Sequence, residues 1–452
     1  MALLSGFTAF VVLLLSYTSA EQPPNFSGDE IPYRVIPTGT VSPENLLGTW
    51  LYGYRECSKN FNGAKGKIDD AFYDAWVMSN TAGVASNIDW NNVAAVEFLG
   101  APGLNLVQRP QIQAVFANTA TVIYSNKNIF QHYIIVRCDD PKKRCQKRPD
   151  QDPCEPNPPT PTGGAKPKTT PIAYSMNSDP DSPGYPMINF CARFFNDRRS
   201  MADGITYGKA LVSPNNLQLA NYNNRAQTFL HELFHLDLAA NSPDPNPYVD
   251  DLKIDIKMSS PNDPSARPAT SDAYGTLYTK ILARWQGGGG VGSVGYYVQR
   301  NSDNLAMYAL AKYVMTQNGN VYPHLPIVIY RPDGPPYPPI PGALATFVTE
   351  GGDFYWNTTG GLTAWDTDPD TTPRQEYRGC PEAENRSGLN SPLTINAFAP
   401  DSAYPDSYNA QVSTWMKALG VGSNPDSGAN AGQQIAIPLI PTRLGIRLLG
   451  SD

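Results

Sequence analysis

Residues 224–238 constrain this chain more than any other segment. They read as one helix, with Asn224 as the N-cap and Gln227 at the capping-box position three residues on. Ala226, Phe229, Leu230 and Leu233 form an apolar side that needs a core to cover it. Beside that side runs His231-Glu232-Leu233-Phe234-His235. An α-helix stacks residues four apart on one face, so the two imidazoles project side by side. The fold must therefore bury one side of this helix and open the other to a cleft. A helix anchored in a core also holds ligands more rigidly than a loop does.

Two imidazoles at this spacing predict a shared metal ion, and Zn2+ suits nitrogen and oxygen ligands arranged tetrahedrally. Glu232 lies one step round the helix, where it reaches a metal-bound water rather than the metal itself. Zinc lowers the pKa of such a water towards about 7, and Glu232 then serves as general base and later as proton donor to a leaving amine. The rival reading is two partly exposed histidines on a surface helix. The remaining two histidines, His132 in a strand-like run and His324 between prolines, lack ligand spacing and read as structural.

The rest of the chain sets the context. Residues 1–20 read as a signal peptide, with an apolar run from Phe7 to Tyr17 followed by Thr18, Ser19 and Ala20. Secretion to the extracellular space follows. Residues 21–48 are polar and Pro-containing, an N-terminal arm or pro-segment. An even number of cysteines, Cys57, Cys138, Cys145, Cys154, Cys191 and Cys380, favours disulfides in an oxidising compartment. Six cysteines allow about fifteen pairings, and spacing does not choose among them. Asn25, Asn357 and Asn385 open glycosylation sequons. A net charge of -7 without a basic stripe argues against nucleic acid as a partner, and the lack of a polybasic patch or a long apolar span argues against a membrane.

Apolar residues Ile68, Ala71, Phe72, Ala75 and Trp76 recur at helical spacing. Residues 93–99 and 112–116 read as further helices. Residues 121–124 and 133–136 read as paired strands joined by Ser125-Asn126-Lys127-Asn128. The Pro-rich stretch 139–186 reads as a long stapled loop, and 241–270 as a second polar loop. Helices follow at 274–285 and 303–314, separated by the run Gly287–Gly290. A catalytic domain is expected over 49–320 and a Pro-rich C-terminal extension over 321–452. Within the extension, 344–349 reads as strand, and the whole is either a small appended domain or a belt on the core.

A catalytic zinc needs a third protein ligand from outside the metal helix. The acidic candidates are Asp237, Asp250, Asp251, Asp255 and Asp272. Asp237 is two residues past His235 and points elsewhere, while Asp250, Asp251 and Asp255 lie in a stretch read as solvated loop. Asp272 stands just before an apolar helical pattern, where it is either a ligand or a helix cap.

Here the sequence resembles the aspzincins, the deuterolysin and peptidyl-lysine metalloendopeptidase family of secreted fungal proteases. They pair HExxH with a later GTxDxxYG motif whose Asp is the third zinc ligand. This chain keeps the first motif intact and has Ala269-Thr270-Ser271-Asp272-Ala273-Tyr274-Gly275 for the second, without the leading Gly and with one residue fewer between Asp and Tyr. Cys57 with the helix through Trp76, Phe98-Leu99-Gly100, Cys191 with Phe194-Phe195, and Asn301-Ser302-Asp303-Asn304-Leu305-Ala306 also look similar. The resemblance spans about residues 50–320. It implies a zincin-like α+β fold, mostly helical with a small sheet beside the metal helix, zinc on His231, His235 and Asp272, and Glu232 and Tyr274 as catalytic residues. It also implies protein or peptide substrates, bound as an added strand at a sheet edge near Val212. The alternatives are an inactive homologue that binds a partner or cell wall, disfavoured by the intact Glu232, and a zinc hydrolase acting on a non-peptide bond.

Overall fold

The computed structural model describes residues 49–123, 132–145, 171–242, 247–258, 268–285, 294–330, 345–348, 353–355, 393–394 and 398–419. Residues 1–48, Cys154, Cys380, the three sequons and the tetraglycine lie outside them.

Strand β1 (Thr49–Arg55) leads into helix α1 (Ala64–Ser79), which buries Ile68, Ala71, Phe72 and Ala75 as their spacing predicts. Helices α2 (Val93–Leu99) and α3 (Arg109–Ile123) follow. Asn92 caps α2 by accepting from the Ala94 amide. The expected hairpin at 121–136 is not formed. Thr121–Ile123 complete α3, and β2 (His132–Arg137) pairs instead with β1. The β-branched residues at the end of α3 carry weak intrinsic strand preference, and the helix they extend prevails by packing its apolar face on the core.

A four-stranded sheet has the order β1-β2-β4-β3, with β3 at Ala173–Met176 and β4 at Met187–Phe190. The first three strands run parallel, and β3 is antiparallel to β4. The stretch 139–186 is therefore not all loop: β3 lies within it. Disulfides join Cys57 to Cys138 and Cys145 to Cys191, which ties the entry to α1 and the exit of β4 to this sheet. Helix α4 (Met201–Ala210) leads to α5 (Arg225–Phe234), the helix of the His-Glu-x-x-His motif. Val212, expected near a sheet edge, is an exposed residue in the turn after α4.

The stretch 241–270 also holds a ladder. Strands β5 (Lys253–Met258) and β6 (Pro268–Asp272) are antiparallel, and helix α6 (Gly275–Leu282) follows at once. Helix α7 (Ser302–Gln317) is buried along most of its length. Beyond it, β7 (Ile327–Tyr330), β8 (Ala345–Val348), β9 (Asp353–Tyr355) and β10 (Leu393–Thr394) join β5 in a second sheet. Helix α8 (Asp406–Ala418) packs Tyr408 and Val412 into a cluster with Val96, Ala101, Leu325 and Phe347. The described parts of the C-terminal extension thus share a core with α2. The class is mixed α+β, and no described helix is long and apolar enough to cross a membrane.

The core sits between α1, α5, α7 and the first sheet. Phe229 of α5 packs its ring between Phe72 and Phe190, at centroid distances of 5.2 and 5.3 Å. This wedge holds the motif helix against both α1 and the sheet.

Candidate metal centre

Helix α5 begins at Asn224, whose side-chain oxygen accepts from the Gln227 amide at 3.0 Å, as the capping reading expects. Ala226, Phe229, Leu230 and Leu233 are fully buried. The helix stops at Phe234 with His235 as its C-cap, sooner than the expected 238. Asn177, just after β3, secures that end: its amide donates to the His235 carbonyl at 3.1 Å and its oxygen accepts from the Asp237 amide at 2.7 Å.

At this end of α5 the two imidazoles converge, with Nε2 of His231 and Nε2 of His235 3.2 Å apart. Asp251 completes a triangle, its carboxylate 3.4 Å from His231 Nε2 and 3.1 Å from His235 Nε2. These three side chains form a group able to hold one metal ion. The far ring nitrogens are already engaged. His231 Nδ1 lies 3.2 Å from the Asp303 carboxylate, and His235 Nδ1 lies 2.6 Å from the Val249 carbonyl. Both partners only accept, so each Nδ1 carries a proton, and a cation taking the place of the Nε2 protons would meet a lone pair on each ring. Ser302 donates to Asp251 at 2.9 Å. Metal-bound histidines are characteristically held by such outer partners.

The electrostatics follow from that geometry. Three electron-rich atoms face one another in a buried place, an arrangement that repels itself unless a cation is shared. Burial disfavours the charged form of His231, but the carboxylates of Asp251 and Asp303 outweigh it and hold the imidazole well above its usual range. His235 is raised against burial mainly by Asp251. Burial would lift Asp251, yet the two histidines keep its carboxyl well below the usual range. The field that draws protons here is the one a divalent cation would meet.

Glu232 is buried beside this group, and its carboxylate accepts from the Ser175 hydroxyl at 2.8 Å. Ser175 belongs to β3, which pairs with β4 on one side and is the sheet's edge among the described strands. Tyr274 sets its ring edge-on to His231, with centroids 5.6 Å apart, immediately before α6.

The structure thus brings together His231, Glu232, His235 and Tyr274. Asp251, read from sequence as solvated loop, is instead partly buried between the histidines. Asp272 does not open a helix. It ends β6, its backbone paired with Lys253, and its side chain lies outside the described residues. The missed signal is the alternation Leu252, Ile254, Ile256, Met258 against Lys253, Asp255, Lys257. A period of two marks a strand, and an acid at its entry is held by the sheet rather than solvated. Ser175, Asn177 and Asp303 carry no such local signal, because each acts on an element far away in sequence. His324 is structural, as expected: its ring stacks on Trp415 at 4.4 Å.

No family model matches this chain, and no curated protein matches its sequence.

Proposed function

We propose that this chain is a secreted, zinc-dependent endopeptidase of the zincin type that its motifs resemble. The carrying observation is the convergence of His231, His235 and Asp251 next to Glu232. The two Nε2 atoms stand 3.2 Å apart, and each lies 3.1–3.4 Å from a different oxygen of Asp251. Two ligands of a tetrahedral zinc bonded at about 2.0–2.1 Å are separated by roughly 3.3–3.4 Å, so the donor set and its spacing both suit that ion. Zinc held there would polarise a peptide carbonyl and acidify a bound water. Glu232, buried beside the donor set, would take a proton from the attacking water and return it to the leaving amine. The Ser175 hydroxyl holds that carboxylate in one orientation. Tyr274, which the resemblance implies as a further catalytic residue, sets its ring against His231. The edge of β3 is the element next to Glu232 best suited to receive an extended peptide as an added strand. The two disulfides support an oxidising compartment and with it the reading of residues 1–20 as a signal.

The test is metal analysis of purified protein together with casein hydrolysis, with and without a chelator. One equivalent of zinc and chelator-sensitive proteolysis are expected. Glu232→Gln should keep the metal and lose about 10²–10⁴-fold in turnover. Proteolysis untouched by chelator and by Glu232→Gln overturns the mechanism. Metal binding without proteolysis points to a binding homologue, and turnover confined to small amides points to a non-peptide hydrolase.

A further inference from the structure

The turn that opens α7 reaches His231, His235 and Asp251 and the backbone on either side of Tyr274. Asn301 donates from its side chain to the Ala273 carbonyl at 2.8 Å, next to Tyr274, and accepts from the Leu252 amide at 3.0 Å, next to Asp251. Ser302 donates to Asp251 and lies 3.3 Å from His235 Nε2. Asp303 spreads its two oxygens between His231 Nδ1 at 3.2 Å and the Gly275 amide at 2.5 Å. Asn304 donates to the carbonyls of Phe98 at 2.7 Å and Thr279 at 2.9 Å. An acid in the first turn of a helix ordinarily serves that helix's own amides. Asp303 serves two other elements instead, and it is 4% exposed.

We infer that Asp303 is the positioning residue of the metal centre, fixing which nitrogen of His231 faces the ion and tying that helix to the backbone beside Tyr274. The inference rests on the metal reading above. A carboxylate can only accept, so it demands the proton on Nδ1 and leaves the Nε2 lone pair for the ion. The same carboxylate receives the first amide of α6, so a shift of His231 and a shift of Tyr274 are mechanically linked. Asp303→Asn tests the chemistry with almost no change of shape. An amide has one oxygen. If that oxygen keeps the Gly275 amide, the NH2 group faces His231 and favours the tautomer whose Nε2 bears hydrogen and cannot ligate.

The experiment measures zinc affinity of wild type, Asp303→Asn and Ser302→Ala by competition with a chromophoric chelator, alongside melting of the metal-free proteins. Loss of an outer-shell partner typically weakens metal binding about 10–100-fold. Asp303→Asn is expected in that range, with metal-free melting close to wild type, and Ser302→Ala at its lower end or below. Cobalt-loaded Asp303→Asn should also show altered visible absorption, a signature that a packing role would leave alone. Equal zinc affinity in wild type and a folded Asp303→Asn overturns the inference and leaves the metal reading intact. Wild type that takes up no metal sinks both. Should Asp303→Asn fail to fold, ¹⁵N resonances of metal-loaded wild type decide. His231 bound through Nε2 with hydrogen on Nδ1 is expected, and binding through Nδ1 overturns the assignment.

Discussion

Helix α6 joins two buried clusters of charge that solve the same problem in opposite ways. At its start, Gly275 meets Asp303 and the convergence of His231, His235 and Asp251. Near its end, Lys280 pairs with Glu97 of α2, both side chains almost wholly buried. The ammonium has three protons and three partners: Glu97, the His324 carbonyl at 3.1 Å and the Pro326 carbonyl at 2.8 Å. Glu97 also accepts from Tyr322 at 2.8 Å and Tyr408 at 2.6 Å. Burial lowers the Lys280 pKa against the pull of Glu97, and burial with the Glu97 charge drives both phenols well above their usual range. In this second cluster every donor meets an acceptor, so it has nothing left to offer a ligand. In the first cluster the Ser302 hydroxyl donates to Asp251, but two imidazole Nε2 atoms and a carboxylate converge on one point, and a metal ion in place of the protons they share would bind all three. Burial of charge alone therefore does not mark a site; the balance of donors and acceptors does.

The largest expected effect separates the two clusters cleanly. Asp251→Ala should abolish tight metal binding and proteolysis together, since a catalytic zinc site uses three protein ligands. Metal analysis and casein assays on purified variant protein check this. Retained metal and activity there, with both lost in Asp272→Ala, would return the third ligand to the residue that the sequence favoured.

Lys280→Met should do the reverse. It leaves the Glu97 carboxylate buried without its cation, at a cost of about 3–5 kcal/mol in stability. Denaturant unfolding would read that loss, while zinc affinity of the folded fraction should stay near wild type. A large drop in metal affinity would show that the two ends of α6 are coupled.

A smaller effect is set by pH. Burial, aided by the nearby Lys280 cation, pushes the His324 pKa down from 6.5 to about 4. The unfolded chain therefore binds a proton that the folded one refuses between those values. The contribution of neutral His324 is complete above pH 6.5 and is lost as pH falls towards 4. The full span amounts to about 3 kcal/mol. Urea unfolding of wild type and His324→Gln across that range checks it: the variant should show the shallower fall. Parallel pH profiles would remove His324 from the account.

The smallest change expected is in Tyr408→Phe, which deletes the hydrogen bond to Glu97 and a long one accepted from Arg284 and should cost about 1.5–3 kcal/mol. A neutral result would mean that Tyr322 and Lys280 alone satisfy Glu97.

The metal helix was legible because its cap, its apolar side and its ligands all lie within fifteen residues of one another. Helix α1 and the span of α2 were legible for the same reason, since local periodicity carries them. Asp251 was hidden by the prolines before it, which disguised a strand entrance as open loop. Ser175 could not be seen at all, since its meaning depends on an edge strand lying against a helix 57 residues on. Lys280 looked like an ordinary helical lysine. Its partner Glu97 is 280 - 97 = 183 residues away, and no pattern within either helix announces the pairing.

The second sheet has a consequence for the order in which the protein becomes itself during synthesis. The donors His231, His235 and Asp251 leave the ribosome together with β5 and its antiparallel partner β6, long before the two other strands that pair with β5, which come from residues 353–355 and 393–394. The hydroxyl of Tyr408 that completes the Glu97 joint comes later still. A nascent chain therefore has its ligands and the β5–β6 ladder well over a hundred residues before the second sheet can be completed. The sheet beside the ligands is thus completed last, although every residue that touches the ligands is made early.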